Sequence, residues 1–357
     1  MSLPLAADVL EEYAAELPAA VAACGCDGLE GVWGGVEPPW SIPEGLRFGY
    51  HLTFYPDWLD FWRGDRAALM RKFGSEPVWR AFYGGAEGEQ TLLDLYRADL
   101  KRALAWGARY VVFHVSDVSI EEGYTYRWEH SHAAVIDAAA ELANRLLDGR
   151  DWPFQFLVEN QWWPGFTFTD PALTGSLLEK IHFARKGILL DTGHLMNTDR
   201  NLRTQAEGAA YIHRMLDAHG TLCRYIKGVH LHQSLSGPYV RAHTGALPPL
   251  PEDYLERFAA SYRHILNIDT HRPWTDGAVR GLVERIAPDY LVHELCAHDR
   301  ASRTAAAEPC AGKLMGNGGV CQRSVFCYNT EEETTCLAVW RIHAASGLTG
   351  TGGEEAS

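Results

Sequence analysis

The run Gly187-Ile188-Leu189-Leu190-Asp191-Thr192-Gly193-His194 indicates the fold of this 357-residue chain. Its short, wholly apolar start predicts a strand that is buried on both faces, as in a parallel sheet covered by helices. An acid ends this strand, and an imidazole follows three residues later. Because such sheets keep their chemistry at the carboxyl ends of the strands, Asp191 and His194 are candidate metal ligands.

Five other apolar segments of the chain end in the same way. Each delivers one ligand-type side chain at its C-terminal end, and these are His51, His114, Glu159, His230 and Glu294. A single histidine at a strand end is more often a hydrogen-bonded structural residue. Six acids and imidazoles at equivalent positions instead favour one shared site, a ring of ligands on one face of a barrel.

Segments with helical periodicity alternate with these strands. They span residues 91–106, 131–147, 171–184, 203–219, 252–266 and 277–286. Strands and helices that alternate at this spacing are typical of repeated βα units around a parallel sheet. The sequence therefore predicts an α/β protein, a (β/α)8 TIM barrel that occupies residues 1–303 as one metal-dependent catalytic domain.

The alternating pattern stops after about Arg303, and residues 304–357 are predicted to be a poorly ordered C-terminal appendage. This tail contains four cysteines at irregular spacings, Cys310, Cys321, Cys327 and Cys336. Zinc sites commonly use pairs such as C-x2-C, which the tail lacks. A metal or disulfide knot and a functional peptide-like tail remain alternatives, since cysteine spacing alone does not fix connectivity.

Composition restricts the classes of partner. Apolar residues make up 46% and charged residues 22% of the chain, as in ordinary globular proteins. The formal net charge of −14 opposes binding to polymeric nucleic acid, which depends on lysine and arginine neutralising phosphates. The chain shows neither a secretory signal nor a membrane span, and its cysteines are scattered, so we expect a cytoplasmic protein with a small-molecule substrate. The oligomeric state is left open.

Several of the strand-end motifs resemble those of the xylose isomerase-like TIM barrels. This superfamily includes endonuclease IV (AP endonuclease family 2) and the sugar phosphate isomerases and epimerases. The motifs are Phe113-His114, Val158-Glu159-Asn160, Leu190-Asp191-Thr192-Gly193-His194, Gly228-Val229-His230-Leu231 and His293-Glu294. The stretch from Asp191 to Thr204 is particularly similar to its endonuclease IV counterpart. The resemblance covers Leu5 to Arg300 and is specific for fold and metal site, not for reaction.

The resemblance implies a set of metal ligands. The shared metal site of the superfamily corresponds to Glu159, Asp191, His230 and Glu294. The endonuclease-like branch adds three histidines and an Asp-x-His pair, and the histidines correspond to His51, His114 and His194.

The Asp-x-His pair is incomplete where the resemblance places it. His243 could supply its imidazole, but Arg241 stands in the place of the aspartate. One or two ions are therefore expected. Asp269-Thr270-His271, in a later loop, could substitute for the pair, or could cap a helix or form loop hydrogen bonds.

The mixed nitrogen and oxygen ligands favour zinc, with manganese, cobalt and iron as alternatives. Glu159, Glu294 and His194 are the candidate catalytic residues. The histidine-rich ring favours metal-dependent hydrolysis of a phosphoester on a small sugar-like or nucleotide-like substrate. The alternative is a sugar or sugar-phosphate isomerase or epimerase in which Glu159 and Glu294 move a proton on the two faces of the substrate. Cleavage of DNA at abasic sites is a third possibility.

Aromatic loops follow two of the strand ends, and they could bind the substrate. One lies within residues 54–83 and contains Trp58, and the other contains Trp162 and Trp163. Such side chains could stack on a base or on the apolar face of a sugar, and a substrate as large as a cobamide nucleotide loop would then fit. A self-packed lid or a dimer contact is the alternative. Arg241, Asp269 and His271 complete the predicted substrate-binding set.

Overall fold

A computed structural model of the chain describes residues 2–13, 15–85, 88–296 and 324–329. Nine parallel strands form one sheet in chain order. They are β1 (Ser2–Leu5), β2 (Gly28–Trp33), β3 (Arg47–His51), β4 (Tyr110–His114), β5 (Gln155–Glu159), β6 (Lys186–Asp191), β7 (Ile226–His230), β8 (Tyr290–Cys296) and β9 (Ser324–Asn329). Besides pairing with β8, β9 pairs with the start of β2, so the sheet curls round and closes. The predicted TIM barrel is confirmed.

The predicted appendage, residues 304–357, is described only in part. Its strand β9 belongs to the sheet. The rest of the segment, including the cysteines at positions 310, 321 and 336, lies outside the described residues.

Helices connect the strands and surround the sheet. They are α1 (Ala7–Tyr13), α2 (Leu17–Ala23), α3 (Leu59–Arg63), α4 (Arg66–Phe73), α5 (Glu76–Phe82), α6 (Glu89–Trp106), α7 (Ile120–Thr125), α8 (His132–Leu147), α9 (Pro171–Lys180), α10 (Thr192–Asn197), α11 (Gln205–His219), α12 (Gly237–His243), α13 (Tyr254–Leu266) and α14 (Ala278–Ile286). Local signals fix several of their ends. The Ser131 side chain caps α8, and Thr204 with Glu207 forms a capping box at the start of α11. Among the described residues, no helix combines the length and apolarity that a membrane crossing requires.

The strands of the barrel are apolar on both faces because side chains fill the interior while helices cover the outside. Leu189 and Leu190 point to opposite faces of β6, and both are completely buried. The apolar run before Asp191 is therefore buried on both faces, as predicted. The polar residues that could bind a ligand or a metal lie at the carboxyl ends of the strands.

The aromatic segment 54–83 forms three short helices, α3 to α5, and a buried ionic cluster holds them on the barrel. Lys72 Nζ lies 2.8 Å from Asp57 Oδ1 and 2.7 Å from Asp60 Oδ2. His130 bridges Asp60 and Asp117 at 3.1 and 2.9 Å. Asp117 also accepts hydrogen bonds from two backbone amides at the start of α3. The cluster therefore ties the loop after β3 to the loop after β4.

His130 is expected to make stability depend on pH. Hydrogen bonds to Asp117 and Asp60 raise its pKa to about 10, whereas an unfolded histidine has a pKa of about 6.5. The stabilisation from protonated His130 is fully present below about pH 6.5 and is lost as the pH rises towards 10. Urea denaturation should therefore show that wild-type stability falls more steeply between pH 7 and 10 than that of His130→Gln. Parallel curves for the two proteins would contradict this role.

Candidate metal centre

The barrel brings the six predicted strand-end residues to one edge of the sheet. Pairing places His114 of β4 beside Glu159 of β5, and Asp191 of β6 beside His230 of β7. Because neighbouring parallel strands end together, residues far apart in sequence become adjacent in space. They form two of three groups of residues whose ligand atoms lie within 4.8 Å of one another, and the third group consists of other residues.

The first group consists of Glu159, Asp191, His230 and Glu294. His230 Nδ1 lies 2.9 Å from Glu294 Oε2, 3.5 Å from Glu159 Oε1 and 3.8 Å from Asp191 Oδ2. All four residues are buried. Three carboxylates around one imidazole form a donor set that suits a divalent ion.

The second group consists of His51, His114 and, again, Glu159. Glu159 Oε2 lies 3.3 Å from His51 Nε2 and 3.0 Å from His114 Nε2. Its other oxygen, Oε1, faces His230 of the first group. Glu159 could therefore serve as a ligand in both groups.

The third group consists of His194, His232, Asp269 and His271. Asp269 Oδ2 lies 3.1 Å from His194 Nε2 and 2.5 Å from His271 Nε2. The His232 ring stacks on His271, with centroids 4.1 Å apart. Asp269 and His271 thus lie in a ligand group; the sequence offers them both as substrate-binding residues and as a substitute for the missing Asp-x-His pair. The three groups exceed the one or two ions expected from the sequence.

The His232 side chain supports the third group as a metal site. Its Nε2 atom lies 2.8 Å from Asp191 Oδ2, while its buried Nδ1 has no hydrogen-bond partner among the described residues. An imidazole that donates through one nitrogen and keeps the other unpaired has the usual arrangement of a metal ligand. The Gly193 backbone makes room for this ring, because a Cβ atom at position 193 would lie only 2.0 Å from His232 Cε1.

Two residues behind the ligands hold them in place. The wholly buried Glu30 lies 3.2 Å from His230 Nε2 and accepts a hydrogen bond of 2.8 Å from the Tyr110 hydroxyl. The Asn160 side chain accepts a hydrogen bond of 2.8 Å from the backbone N–H of Asp191 and donates one of 3.0 Å to the backbone carbonyl of the same residue. Such partners orient ligands and raise the basicity of a ligating imidazole.

Sequence reasoning missed His232 and Glu30, although each carried a signal. His232 follows His230 by two residues, the spacing that keeps side chains on one face of an extended chain. Glu30 is a lone acid within the otherwise apolar strand β2.

Three predicted residues lie elsewhere. His243 is exposed on α12, where its ring stacks on Tyr239 with centroids 4.1 Å apart, so the prediction that it supplies the last imidazole needs correction. Arg241 is also exposed on α12 and donates to the carbonyl of Arg200. Trp58 is buried against the barrel, and its Nε1 donates to the Ser116 carbonyl at 2.7 Å.

The groups influence one another electrostatically. Burial opposes ionisation of Glu159, but His114 and His230 outweigh it and hold the pKa of that carboxyl well below its usual range. Burial likewise opposes protonation of His230, but Glu294 and Glu30 raise the pKa of that imidazole. The Glu159 carboxylate is therefore ionised, as a metal ligand must be.

All three groups open onto a cavity of about 230 Å³. Phe54 stacks on His114, with ring centroids 4.4 Å apart, and Trp162 lies 5.0 Å from His194. Trp163 packs on Trp162 at 4.0 Å and also lines the cavity. Aromatic side chains thus stand beside the second and third groups, where they can exclude water.

Comparisons with known proteins support the family but not the reaction. No curated protein matches the chain. The similar solved structures include endonuclease IV from Thermus thermophilus, at 16% identity over 97% of this chain and 98% of that one, with a TM-score of 0.40. They also include D-psicose 3-epimerase from Clostridium cellulolyticum, at 10% identity over 94% and 91%, with a TM-score of 0.39. Likenesses this weak carry no argument about chemistry.

The family is shown by a sequence match. The xylose isomerase-like TIM barrel family matches residues 18–308, which include all the strand-end residues described above. This match confirms the resemblance that the strand-end motifs suggested. The chain belongs to the xylose isomerase-like TIM barrel family.

Proposed function

We propose that this chain is a phosphoester hydrolase that holds three divalent ions, zinc being best suited to the ligands, and acts on a small molecule. The observation that carries the proposal is the convergence of three ligand groups on one cavity, two of them sharing Glu159. Several closely spaced ions can stabilise both the attacking and the leaving oxygen of a phosphoryl group. Proton transfer on a sugar needs only one such group.

Each residue of the site has a proposed part in this chemistry. Divalent ions at such a site supply activation of water and neutralisation of phosphoryl charge. Glu159 fixes the spacing between the first and second groups. His194 does the same for the third, since its Nδ1 lies 3.2 Å from Glu159 Oε1 and its Nε2 contacts Asp269. Glu294, which lines the cavity, is the candidate for moving a proton at the reacting oxygen.

Metal content tests the third group directly. Zinc-loaded wild-type protein should contain about three ions per chain by elemental analysis, and Asp269→Asn about one fewer, because Asp269 contacts both His194 and His271. His243→Ala is the matched control and should keep the wild-type content, since His243 is exposed on α12. Equal zinc content in wild type and Asp269→Asn would contradict a third ion.

One observation keeps an isomerase or epimerase as the second candidate. Glu159 and Glu294 both approach His230, so the first group alone contains the two acids that proton transfer would need. The two reactions give different products. Release of inorganic phosphate supports hydrolysis. One bound ion per chain, together with incorporation of solvent deuterium into a sugar, would instead show that the protein is an isomerase or epimerase.

A further inference from the structure

We infer that the substrate's alcohol part is an apolar aromatic group, bound against helix α13 while its phosphate faces the three ligand groups. This inference rests on the proposed hydrolase function and names the substrate class of the same site. It rests on three observations: the apolar wall of the cavity, the aromatic rings beside the metal ligands, and the absence of lysine and arginine among the described residues of the lining.

One wall of the cavity is an apolar face of α13. Its side chains lie at helical spacing, which places them on one side of the helix, and they are Tyr254, Phe258, Tyr262, Ile265 and Leu266. Four of them, all except Tyr254, remain half-buried, as expected of side chains that border a cavity. Phe82 also lines the cavity, with its ring centroid 5.6 Å from that of Phe258.

Flat rings also border the ligand end of the cavity. Phe54 stacks on His114 and Trp162 lies against His194, so planar surfaces stand beside two of the three groups. Aromatic groups prefer offset-stacked and edge-on neighbours, which these rings provide. A substrate ring would thus meet aromatic side chains at both ends of the cavity.

The exposed surface of the lining is mainly apolar. Outside the three groups its aliphatic polar side chains are Thr53, Asp57, Ser116, Ser119, Gln161 and Ser261, and its aromatic residues add the hydroxyls of Tyr55, Tyr254 and Tyr262 and the indole N–H groups of Trp33, Trp162 and Trp163. Three of these are already engaged, Asp57 by Lys72, Ser119 by Glu122 and Gln161 by His194. Each sugar hydroxyl buried without a partner would weaken binding, so an apolar group suits this wall better.

The lining also lacks the charges that a nucleic acid requires. None of the described residues around the cavity is a lysine or an arginine. A polynucleotide presents several phosphates and gains its affinity from cationic side chains. The cavity instead suits one phosphoryl group, held by the metal ligand groups.

The reaction is the hydrolysis of a phosphate ester by water. The oxygen of a water molecule forms a bond to phosphorus, and the bond between phosphorus and the alcohol oxygen breaks. The alcohol oxygen takes up a proton, so the products are an arylmethanol-type alcohol and inorganic phosphate. No oxidant or reductant is needed.

Binding can be tested without turnover, using non-hydrolysable phosphonates. Calorimetric titration of the zinc-loaded protein should show 2-naphthylmethylphosphonate binding at least about tenfold more tightly than methylphosphonate, because the ring buries apolar surface. Phe258→Ser, with Ile265→Thr as a second variant on the same face, should lose most of that preference. Phe183→Ser is the matched control, since Phe183 is half-buried outside the cavity lining and should leave the preference intact.

Hydrolysis gives the second arm of the experiment. 2-Naphthylmethyl phosphate and ribose 5-phosphate both release a primary alcohol, so a tenfold higher kcat/KM for the first reports binding and not leaving-group chemistry. Equal phosphonate affinities, absence of phosphonate binding or a preference for ribose 5-phosphate would overturn the inference. Tight binding of the naphthyl phosphonate with no phosphate released from any ester would overturn the hydrolase proposal and leave the binding inference standing.

Discussion

Glu159→Gln should lower kcat/KM for phosphoester hydrolysis by roughly a thousandfold or more. The carboxylate lies between two groups, with one oxygen facing His230 and the other facing His51 and His114. A glutamine side chain is neutral and offers a single oxygen, so it cannot serve both groups. Phosphate release measures the activity, and elemental analysis of the same samples should show fewer than the wild-type number of ions.

The matched control for this substitution is Glu252→Gln. Glu252 is exposed, and the same loss of one charge there should leave activity and metal content at wild-type values. Circular dichroism during thermal unfolding checks that both variants are folded. A folded Glu159→Gln protein with full activity would refute the role of Glu159 as a ligand shared by the two groups.

Lys72→Ala should destabilise the protein by about 3–5 kcal/mol, the usual effect of removing one partner from a buried charge cluster. Only 7% of the Lys72 side chain is exposed, and its ammonium group contacts both Asp57 and Asp60. Burial raises the pKa of Asp57 to about 7 even with the lysine present. Without Lys72, one carboxylate must be buried unpaired or take up a proton.

Urea denaturation at two pH values tests this expectation. The destabilisation should be smaller at pH 5 than at pH 8, because a protonated Asp57 needs no cationic partner. Lys101→Ala, at an exposed position of α6, is the control and should change stability by less than about 0.5 kcal/mol. A loss from Lys72→Ala no larger than that of the control would show that the cluster contributes little to stability.

The strand-end ligands could be predicted from the sequence because two local rules determine them. An apolar run shows that a strand is buried on both faces, and the first polar residue after it marks the reactive edge of the barrel. Both rules act within a few residues of each strand. Asp191, Glu159 and His230 therefore needed no knowledge of the tertiary structure.

These rules predict only His194 of the third group, because Asp269 and His271 come from a loop that the sequence could offer only as one possible substitute for the missing pair. Asp269 and His271 follow α13. His271 adopts a left-handed backbone conformation with φ of 44°, and no sequence signal predicts this conformation. The position of His243 in the sequence after His230 favours it as a ligand, yet on α12 its side chain is exposed to solvent. Which loop histidine reaches the centre is decided by how the helices pack, not by spacing along the chain.

The contact between Gly193 and His232 limits how this site can change over evolution. A methyl group at position 193 and an imidazole at position 232 would occupy the same space. Descendants of this sequence can therefore acquire a side chain at 193 only after 232 has become smaller or its loop has moved. In the reverse order, the intermediate protein would have a side chain at 193 that clashes with His232. As long as His232 is kept as a ligand, position 193 is therefore restricted to glycine.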